Sequence, residues 1–320
     1  MTAPTNAVTT LVTIGQGEDV EDIMYRVAPE ERPFTSNIGS VTAKARYHEW
    51  QTETLANPSA TNAQLEGDDY TGSAGNFTTR LGNYCQISAK AFTISRTADV
   101  VRTYGRDNET DRLKAIRGLE LTRDIEMTAI GNYVSQNESG ANPRKSAGAL
   151  AWITTNDSRG GGSGADGGFS GGTVSAATNG TQRTFTESLV KTVMANLFSS
   201  RGGGKRQYSA YMSGTHKQQF SAFTGIAAIR KDVPSRRATI VGAADDYESD
   251  FGTISLIPHP YGLTRDCLIS DDDMWAIATL DGMKTKRLGA TGDSEKWLVT
   301  KEWCLVSRNE KASSVIADLT

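Results

Sequence analysis

The longest helical pattern in the chain covers residues 107–137, and it contains no proline. Either Asp107 or Asn108 can cap its start, because a short side-chain oxygen accepts a hydrogen bond from an unpaired backbone N–H group there. The helix is expected to be about 45 Å long. Its apolar residues fall on two sides, which predicts that it packs against two different partners. The broad side holds Leu113, Ile116, Leu119, Met127, Ile130, Tyr133 and Val134, and the other holds Leu121, Ile125 and Ala129.

A belt of charge lies between these sides, formed by Glu120, Arg123, Asp124 and Glu126. The spacing of three residues predicts pairs between Glu120 and Arg123 and between Arg123 and Glu126. One interpretation is a solvated ladder that contributes a few tenths of a kcal/mol. The other is a buried, paired cluster at which another segment or subunit crosses the helix.

Upstream of the helix the apolar period changes to two, which is typical of strands. Residues 41–48 alternate, and residues 77–95 are again strand-like, so the two stretches predict a long antiparallel pair. About twenty residues lie between them, far more than a hairpin turn needs. Because a two-stranded ribbon is marginally stable alone, we interpret it as an arm that reaches onto a neighbouring subunit. The alternative is a hairpin folded back on its own domain.

Downstream, glycine dominates residues 160–172, which predicts a flexible surface loop. Thr184 and Glu187 then form a capping box in front of a helix. Strand and helix patterns follow and predict a small α/β layer. The remainder is mostly strands separated by the turn-rich segments DGMKTK, LGATGDSE and NEKA, and these strands are expected to return to the long helix.

Charge and composition exclude several classes of protein. The 34 Lys and Arg residues against 37 Asp and Glu give a net charge of -3, without the basic bias typical of nucleic-acid binders. No apolar run is long enough for a membrane span, and the start of the chain lacks a signal-peptide pattern. Cys85, Cys267 and Cys304 are widely spaced, so we expect buried thiols in a reducing cytoplasm.

No catalytic, cofactor-binding or metal-binding site is predicted. Residues 168–172 match the hydrolase pattern GxSxG around Ser170, but the pattern needs a preceding strand and a following helix. The run of Asp271, Asp272 and Asp273 suits a hard cation, although solvated acid is the simpler interpretation. Ser213 and His216 lack an orienting acid, and residues 202–206 lack the core of a phosphate-binding loop.

Seven segments, taken in their order along the chain, resemble a known family. They span nearly the whole chain and resemble the major capsid proteins of tailed bacteriophages. The segments are EDIMYRVAPEERPFTSNIG, YHEWQTETL, EGDDYT, RLGNYCQISAKAFTISRTADVV, ELTRDIEMTAIGN, YESDFGTISLIPHP and EKWLVTKEWCLVSRNEKASSVIADL.

The resemblance implies an α+β chain with the HK97-like phage capsid fold, in which a long helix forms the spine of a P-domain. It places an N-terminal arm at residues 1–40 and an extended E-loop hairpin at 41–95. The first part of the P-domain covers 96–183, with the spine helix at 107–137 and a glycine-rich loop at 155–182. An A-domain follows at 184–266, and residues 267–320 return as strands to the P-domain.

The same resemblance implies a structural protein, not an enzyme, that assembles through hexamers and pentamers into an icosahedral shell around double-stranded DNA. Portal, scaffolding and decoration proteins are expected partners, without a cofactor, a membrane or sequence-specific DNA binding. The expected location is the virion, after assembly in the host bacterial cytoplasm. Alternatives are an encapsulin-like nanocompartment shell and, more distantly, a hydrolase that uses Ser170. The candidate subunit-contact residues are Trp50, Glu66, Arg80, Glu120, Arg123, Glu126 and Glu302.

One departure from relatives with this fold concerns covalent cross-linking. Some of them join subunits through an isopeptide bond to a lysine on the E-loop. Here no lysine lies between Lys44 and Lys90, so this cross-link is not expected at the tip of the loop.

Overall fold

The computed structural model describes residues 31–320, with gaps at 68, 70, 71, 73, 74, 76, 102, 103, 105–107, 163, 202–205, 224–244 and 291. Most of the predicted N-terminal arm, Asp107 and most of the glycine-rich segment at 202–206 therefore lie outside the described residues. The described helices are α1 (Pro33–Asn37), α2 (Arg96–Val100), α3 (Glu109–Ile130), α4 (Ala149–Trp152), α5 (Glu187–Arg201) and α6 (Gly214–Ser221).

The described strands form two larger sheets and two short pairs. They are β1 (Gly39–Thr42), β2 (Tyr47–Thr52), β3 (Thr79–Tyr84), β4 (Gln86–Ser95), β5 (Asp157–Ser158), β6 (Gly168–Ser170), β7 (Thr173–Ser175), β8 (Arg206–Met212), β9 (Asp246–Ser249), β10 (Gly252–Pro258), β11 (Cys267–Ser270), β12 (Trp275–Leu288), β13 (Ser294–Ser307) and β14 (Ser314–Ile316). Within the described ranges, no helix is long and apolar enough to cross a membrane.

Helix α3 starts as predicted but ends earlier than predicted. The Asn108 side chain caps it by accepting from the backbone N–H of Asp111 at 3.1 Å. The helix ends at Ile130, not at residue 137, because the following backbone bonds to other segments. Ser135 donates to the Val174 carbonyl at 2.9 Å, and Gln136 forms a bridge with Lys145. At about 1.5 Å per residue, its 22 residues span about 33 Å.

The two predicted sides of α3 differ in burial. Leu121, Ile125 and Ala129 are buried against the core. On the broad side, Met127 keeps 42% of its surface exposed, and Tyr133, which lies beyond the end of the helix, keeps 41%. One side of α3 therefore packs inside the subunit, while the other still presents apolar surface.

The strand pairing upstream of α3 differs from the predicted long ribbon. Strand β1 pairs in parallel with β12, whereas β2 and β3 form a separate ribbon of six residue pairs. At Cys85 the chain leaves this ribbon, and β4 then pairs with β13 over ten positions. The order of the four-stranded sheet is β1-β12-β13-β4, so residues 77–95 serve two different sheets.

The second large sheet has six strands in the order β5-β14-β11-β8-β10-β9. Its apolar core includes Val193 and Met194 of α5, Phe220 of α6, and Ile254 of β10. Three of its strands, β5, β11 and β14, lie outside residues 184–266. The predicted boundary at residue 266 therefore does not separate the two sheets, because β11 and β14 join the six-stranded sheet while β12 and β13 join the four-stranded one.

The segment DGMKTK lies inside strand β12 instead of forming the predicted turn. Pairing with β13 continues through it and shifts register between Thr279 and Asp281 and again between Asp281 and Lys284. The irregular register accommodates glycine at position 282 without ending the strand.

The glycine-rich tract is ordered where it is described, which corrects the prediction of a flexible loop. Strands β6 and β7 form a hairpin, and Phe169 stacks on Trp152 with ring centroids 5.8 Å apart. Gly171 and Gly172 turn the chain with φ of 59° and 86°. Glycine here permits a tight turn and close packing, so its abundance does not indicate disorder.

Candidate subunit-contact site

Glu126 is the point at which three segments of the chain meet. Its carboxylate accepts hydrogen bonds from the backbone N–H groups of Phe34 at 2.8 Å and Thr35 at 2.9 Å, both in α1. It also lies 2.9 Å from Nε2 of His259, just beyond β10, and neither of these side chains is exposed. Glu126 therefore joins α1, α3 and the end of β10.

The electrostatics of this contact favour an ionised carboxylate. Burial by itself raises the pKa of Glu126. The hydrogen bonds from His259, Thr35 and Phe34 outweigh burial and hold the pKa below its ordinary value. The side chain of Phe34 meets Tyr211 edge-on at 5.4 Å, which fixes the same segment from its other side.

The other charges of the belt have partners that differ from those predicted. Glu120 accepts from Arg117 at 2.6 Å, not from Arg123. Arg123 lies over the ring of Tyr261 at 5.2 Å, and Asp124 pairs with Lys90 of β4 at 2.7 Å. The predicted pairs within the belt are thus wrong: Glu120 pairs elsewhere on α3, and Arg123, Asp124 and Glu126 contact other segments.

These charges line a shallow groove on the outer side of α3. It is bordered by Lys90, Glu120, Arg123, Asp124, Met127 and Tyr261. Its lining combines charged side chains with the apolar surfaces of Met127 and Tyr261, a mixture that protein–protein contact surfaces also contain. Glu120 and Arg123 are thus brought together on one surface, while Glu126 lies beneath it and is fully buried.

Two of the candidate residues on the ribbon have different surroundings. The indole N–H of Trp50 donates to the Ser307 carbonyl at 2.9 Å, and its ring lies 5.6 Å from Trp152. Trp50 therefore anchors the ribbon to its own subunit. Arg80 pairs with Glu49 across the ribbon at 3.2 Å and remains 70% exposed.

The base of the ribbon is fixed by Asn83, which is fully buried. Its amide donates to the Leu305 carbonyl at 2.8 Å and to the Ser146 hydroxyl at 3.1 Å. Its carbonyl oxygen accepts from the backbone N–H groups of Tyr84 and Ala147 at 3.0 and 3.1 Å. The ribbon thus leaves the subunit from a rigid base.

Beyond the ribbon, the described residues between 53 and 78 are exposed. Leu55 is 94% and Phe77 90% exposed, and Leu65 is 75% exposed. Glu66 lies in the same exposed segment. The exposed segment with these large apolar side chains is therefore a candidate contact surface.

Glu302 lies on β13, where it faces Ile87 of β4. Its carboxylate accepts from Arg144 at 2.6 Å, and Arg144 keeps only 13% of its side chain exposed. This pair ties strand β13 to the loop that follows α3.

The structure does not support catalysis at the residues that were considered for it. Ser170 is the exposed last residue of β6, and a turn into β7 follows it, so no helix supports it as the GxSxG mechanism requires. The Ser213 hydroxyl caps α6 by accepting from the backbone N–H of His216. Within the described part of the chain, no group of three or more His, Cys, Asp and Glu residues is arranged to hold a metal ion.

Two of the three consecutive aspartates likewise have side chains that stabilise the fold. Hydroxyl groups donate to the Asp272 carboxyl from Ser209 at 2.6 Å, Ser270 at 2.6 Å and Tyr211 at 2.9 Å. Burial raises the pKa of Asp272 above its ordinary value. Asp271 caps the turn that leads into β12.

Sequence reasoning missed several residues of the site. His259, Lys90 and Tyr261 contact the belt from distant segments, and no local pattern marks them. Leu55 and Phe77 do carry a signal, because large apolar residues are unusual in an otherwise polar loop.

The family profile described as SU10 major capsid protein matches residues 3–320. The chain belongs to this family. The capsid protein is also 31% identical over 100 residues to the major capsid protein of Escherichia phage Phieco32. That alignment covers 31% of this chain and 28% of the relative.

Solved structures confirm the predicted HK97-like fold for the capsid protein. The capsid of cyanophage A-1(L) matches with a TM-score of 0.64 at 13% identity, over 98% of this chain and 100% of that one. A chain from Mycobacterium phage Bobi matches with a TM-score of 0.61 at 8% identity, over 95% and 96% of the two chains. Family membership identifies a structural protein, not an enzyme.

Proposed function

We propose that this capsid protein assembles through hexamers and pentamers into an icosahedral shell that encloses double-stranded DNA in a phage virion. Its subunits associate in the host bacterial cytoplasm, and portal, scaffolding and decoration proteins join the same particle. Closed rings of heterologous contacts generate such a shell. The net charge of -3 suits a wall that confines DNA without binding it tightly.

We assign the ribbon of β2 and β3 with residues 53–78 to the E-loop, and α3 with the four-stranded sheet to the P-domain. The six-stranded sheet and α5 form the A-domain. In this assignment the E-loop reaches a neighbouring subunit, and Glu66 and Arg80 contact that neighbour. The exposed groove along α3, with Glu120 and Arg123, is a second surface between subunits. Trp50, Glu126 and Glu302 support these surfaces from inside their own subunit.

The observation that carries this proposal is the exposure of Leu55 and Phe77 on a loop whose base is rigidly held. Burying a large apolar side chain contributes about 1.5–3 kcal/mol. Two such side chains per subunit, repeated over a closed shell, favour assembly strongly while each single contact remains reversible.

The test is the double substitution Leu55→Ser and Phe77→Ser. We expect soluble subunits with an unchanged unfolding midpoint, because both side chains are almost fully exposed in the subunit. Electron microscopy should show few or no closed particles. The matched control is Asn57→Ser with Asn62→Ser, two exposed polar positions in the same loop, which should assemble normally.

Particles of normal number and thermal stability from the Leu55 and Phe77 variant would contradict the proposed role of the loop. The nucleic-acid content of native particles tests the cargo separately. Particles that protect double-stranded DNA from nuclease support a virion shell, whereas particles that hold protein alone support a nanocompartment.

A further inference from the structure

Two of the three cysteines are in direct contact. The Sγ atoms of Cys85 and Cys304 lie 3.5 Å apart, and both residues are fully buried. Ala43, Ala276 and Ala278 surround them in a small apolar cluster. The third cysteine, Cys267, is also a buried free thiol but lies in the core of the six-stranded sheet.

The two cysteines lie next to the end of the pairing between β4 and β13. The register ends with Gln86 opposite Trp303, and Cys85 and Cys304 are the next residue on each side. A disulfide has an S–S bond of about 2.05 Å. Closing the observed 3.5 Å gap between the two sulfur atoms to that length requires them to approach by about 1.5 Å.

Cys85 occupies the position at which the chain passes from the ribbon to the four-stranded sheet. Its N–H donates to the Arg46 carbonyl on the ribbon side at 2.7 Å. Cys304 is held in the middle of the sheet, where it pairs with Ala278 of β12. A bond between the two sulfur atoms would thus join the base of the ribbon to the centre of the sheet.

We propose that Cys85 and Cys304 form an oxidation site at which a small peroxide converts two thiols into a disulfide that locks the base of the ribbon. The Cys85 thiolate attacks one peroxide oxygen, the O–O bond breaks, and a sulfenic acid forms at Cys85. The Cys304 sulfur then attacks this sulfenic sulfur, and water leaves. With hydrogen peroxide the sum is two thiols and one peroxide giving one disulfide and two waters.

The surroundings support Cys85 as the thiol that reacts first. The hydrogen bond with Cys304 lowers the pKa of Cys85, and burial opposes this effect. The guanidinium of Arg144 lowers it further. The same hydrogen bond and burial raise the pKa of Cys304, so Cys85 is the thiol of the pair that ionises first. Burial excludes bulky disulfide reagents, so the proposed oxidant is a small peroxide.

The test treats the purified folded chain, in the oligomeric state in which it is isolated, with hydrogen peroxide. The chain is then denatured in maleimide, and the labels are counted by intact mass. Untreated protein should carry three labels, and oxidised protein should carry one and contain a peptide that links Cys85 to Cys304. Treatment with dithiothreitol should restore all three. Retention of three labels after peroxide, or loss accompanied only by added oxygen, would overturn the proposal.

Variants locate the reaction. Cys267→Ser should still lose two labels reversibly and yield the linked peptide, whereas Cys304→Ala should yield no peptide that links Cys85 to position 304 and should lose at most the Cys85 label, as a sulfenic acid. If Cys304→Ala fails to fold, the linked peptide of the unmodified chain still decides the question. The bridge closes a loop of 219 positions, so oxidation should raise the thermal unfolding midpoint and reduction should lower it again. A linked peptide without that shift would contradict the locking role.

Discussion

Replacing Glu126 by Ala should destabilise the subunit far more than any change on the outer surface of α3. The substitution leaves the N–H groups of Phe34 and Thr35 and the Nε2 of His259 without their acceptor. A buried group that loses its hydrogen-bond partner costs about 1–3 kcal/mol. Thr35 is only partly buried, so we take the lower end for it and expect a total of about 4 kcal/mol. That is a large fraction of the roughly 5–15 kcal/mol that stabilises a typical protein.

Urea unfolding of unassembled subunits, followed by tryptophan fluorescence, measures this cost. Trp275 is a suitable reporter because it is buried 6.4 Å from the ring of Phe34. Glu126→Gln keeps one acceptor oxygen and should cost about 2 kcal/mol. The control is Glu120→Ala on the same helix, whose partly exposed pair with Arg117 should contribute a few tenths of a kcal/mol. A cost for Glu126→Ala equal to that of the control would refute the reasoning.

Two further changes test the base of the ribbon and the ordered glycine-rich tract. Asn83→Ala removes the two hydrogen bonds that the Asn83 amide donates and the two that it accepts. It should lower the free energy of unfolding by about 3 kcal/mol in the same urea assay. A loss below about 1 kcal/mol would contradict the anchoring role of Asn83. Burial and the hydrogen-bonded Asp166 raise the pKa of Asp157 to about 6, so between about pH 4 and 6 the folded chain holds a proton that the unfolded chain has lost. The contribution of Asp157 to stability should therefore fall as pH rises through this range, and Asp157→Asn should remove that component, whereas an unchanged pH profile would count against it.

Local patterns predicted the existence of α3 better than its end. The cap at Asn108 is a local interaction, and the buried side of Leu121, Ile125 and Ala129 follows from helical spacing alone. The end at Ile130 depends on partners at Lys145 and Val174, which only the folded chain brings near. Helix propensity beyond residue 130 was therefore overridden by tertiary hydrogen bonds.

In the charged belt, too, local spacing identified a position correctly but not its partners. Its spacing correctly drew attention to Glu126 as a place where another segment crosses. The hydrogen-bond partners of Glu126 are 91, 92 and 133 positions away, in α1 and just beyond β10. Pairing rules for residues within one helix cannot identify partners at that distance in the chain. The alternation around residues 41–48 likewise indicated strand, while the pairing of β1 with residues 276–279 depended on the whole topology.

Composition gave the wrong prediction for the glycine-rich residues 160–172, because glycine occurs both in flexible loops and in tight, fixed turns. Abundant glycine predicted flexibility in residues 160–172, although a hairpin forms there and packs Phe169 on Trp152. Gly168, Gly171 and Gly172 all have positive φ, a conformation that glycine adopts readily. A count of glycines carries no information on whether their freedom is used for motion or for a fixed turn.

The loop and its base have opposite properties, and the proposed function needs both. Leu55 and Phe77 are exposed on the loop, whereas Trp50 and Asn83 are bonded to β13 and its surroundings at the base. A flexible base would lose conformational entropy each time a subunit docked, and that loss would weaken every contact. A rigid base confines the entropy cost to the loop itself, so two apolar side chains suffice to make docking favourable. The proposed disulfide would act on the same base, which predicts that oxidation strengthens an existing shell without creating a new contact.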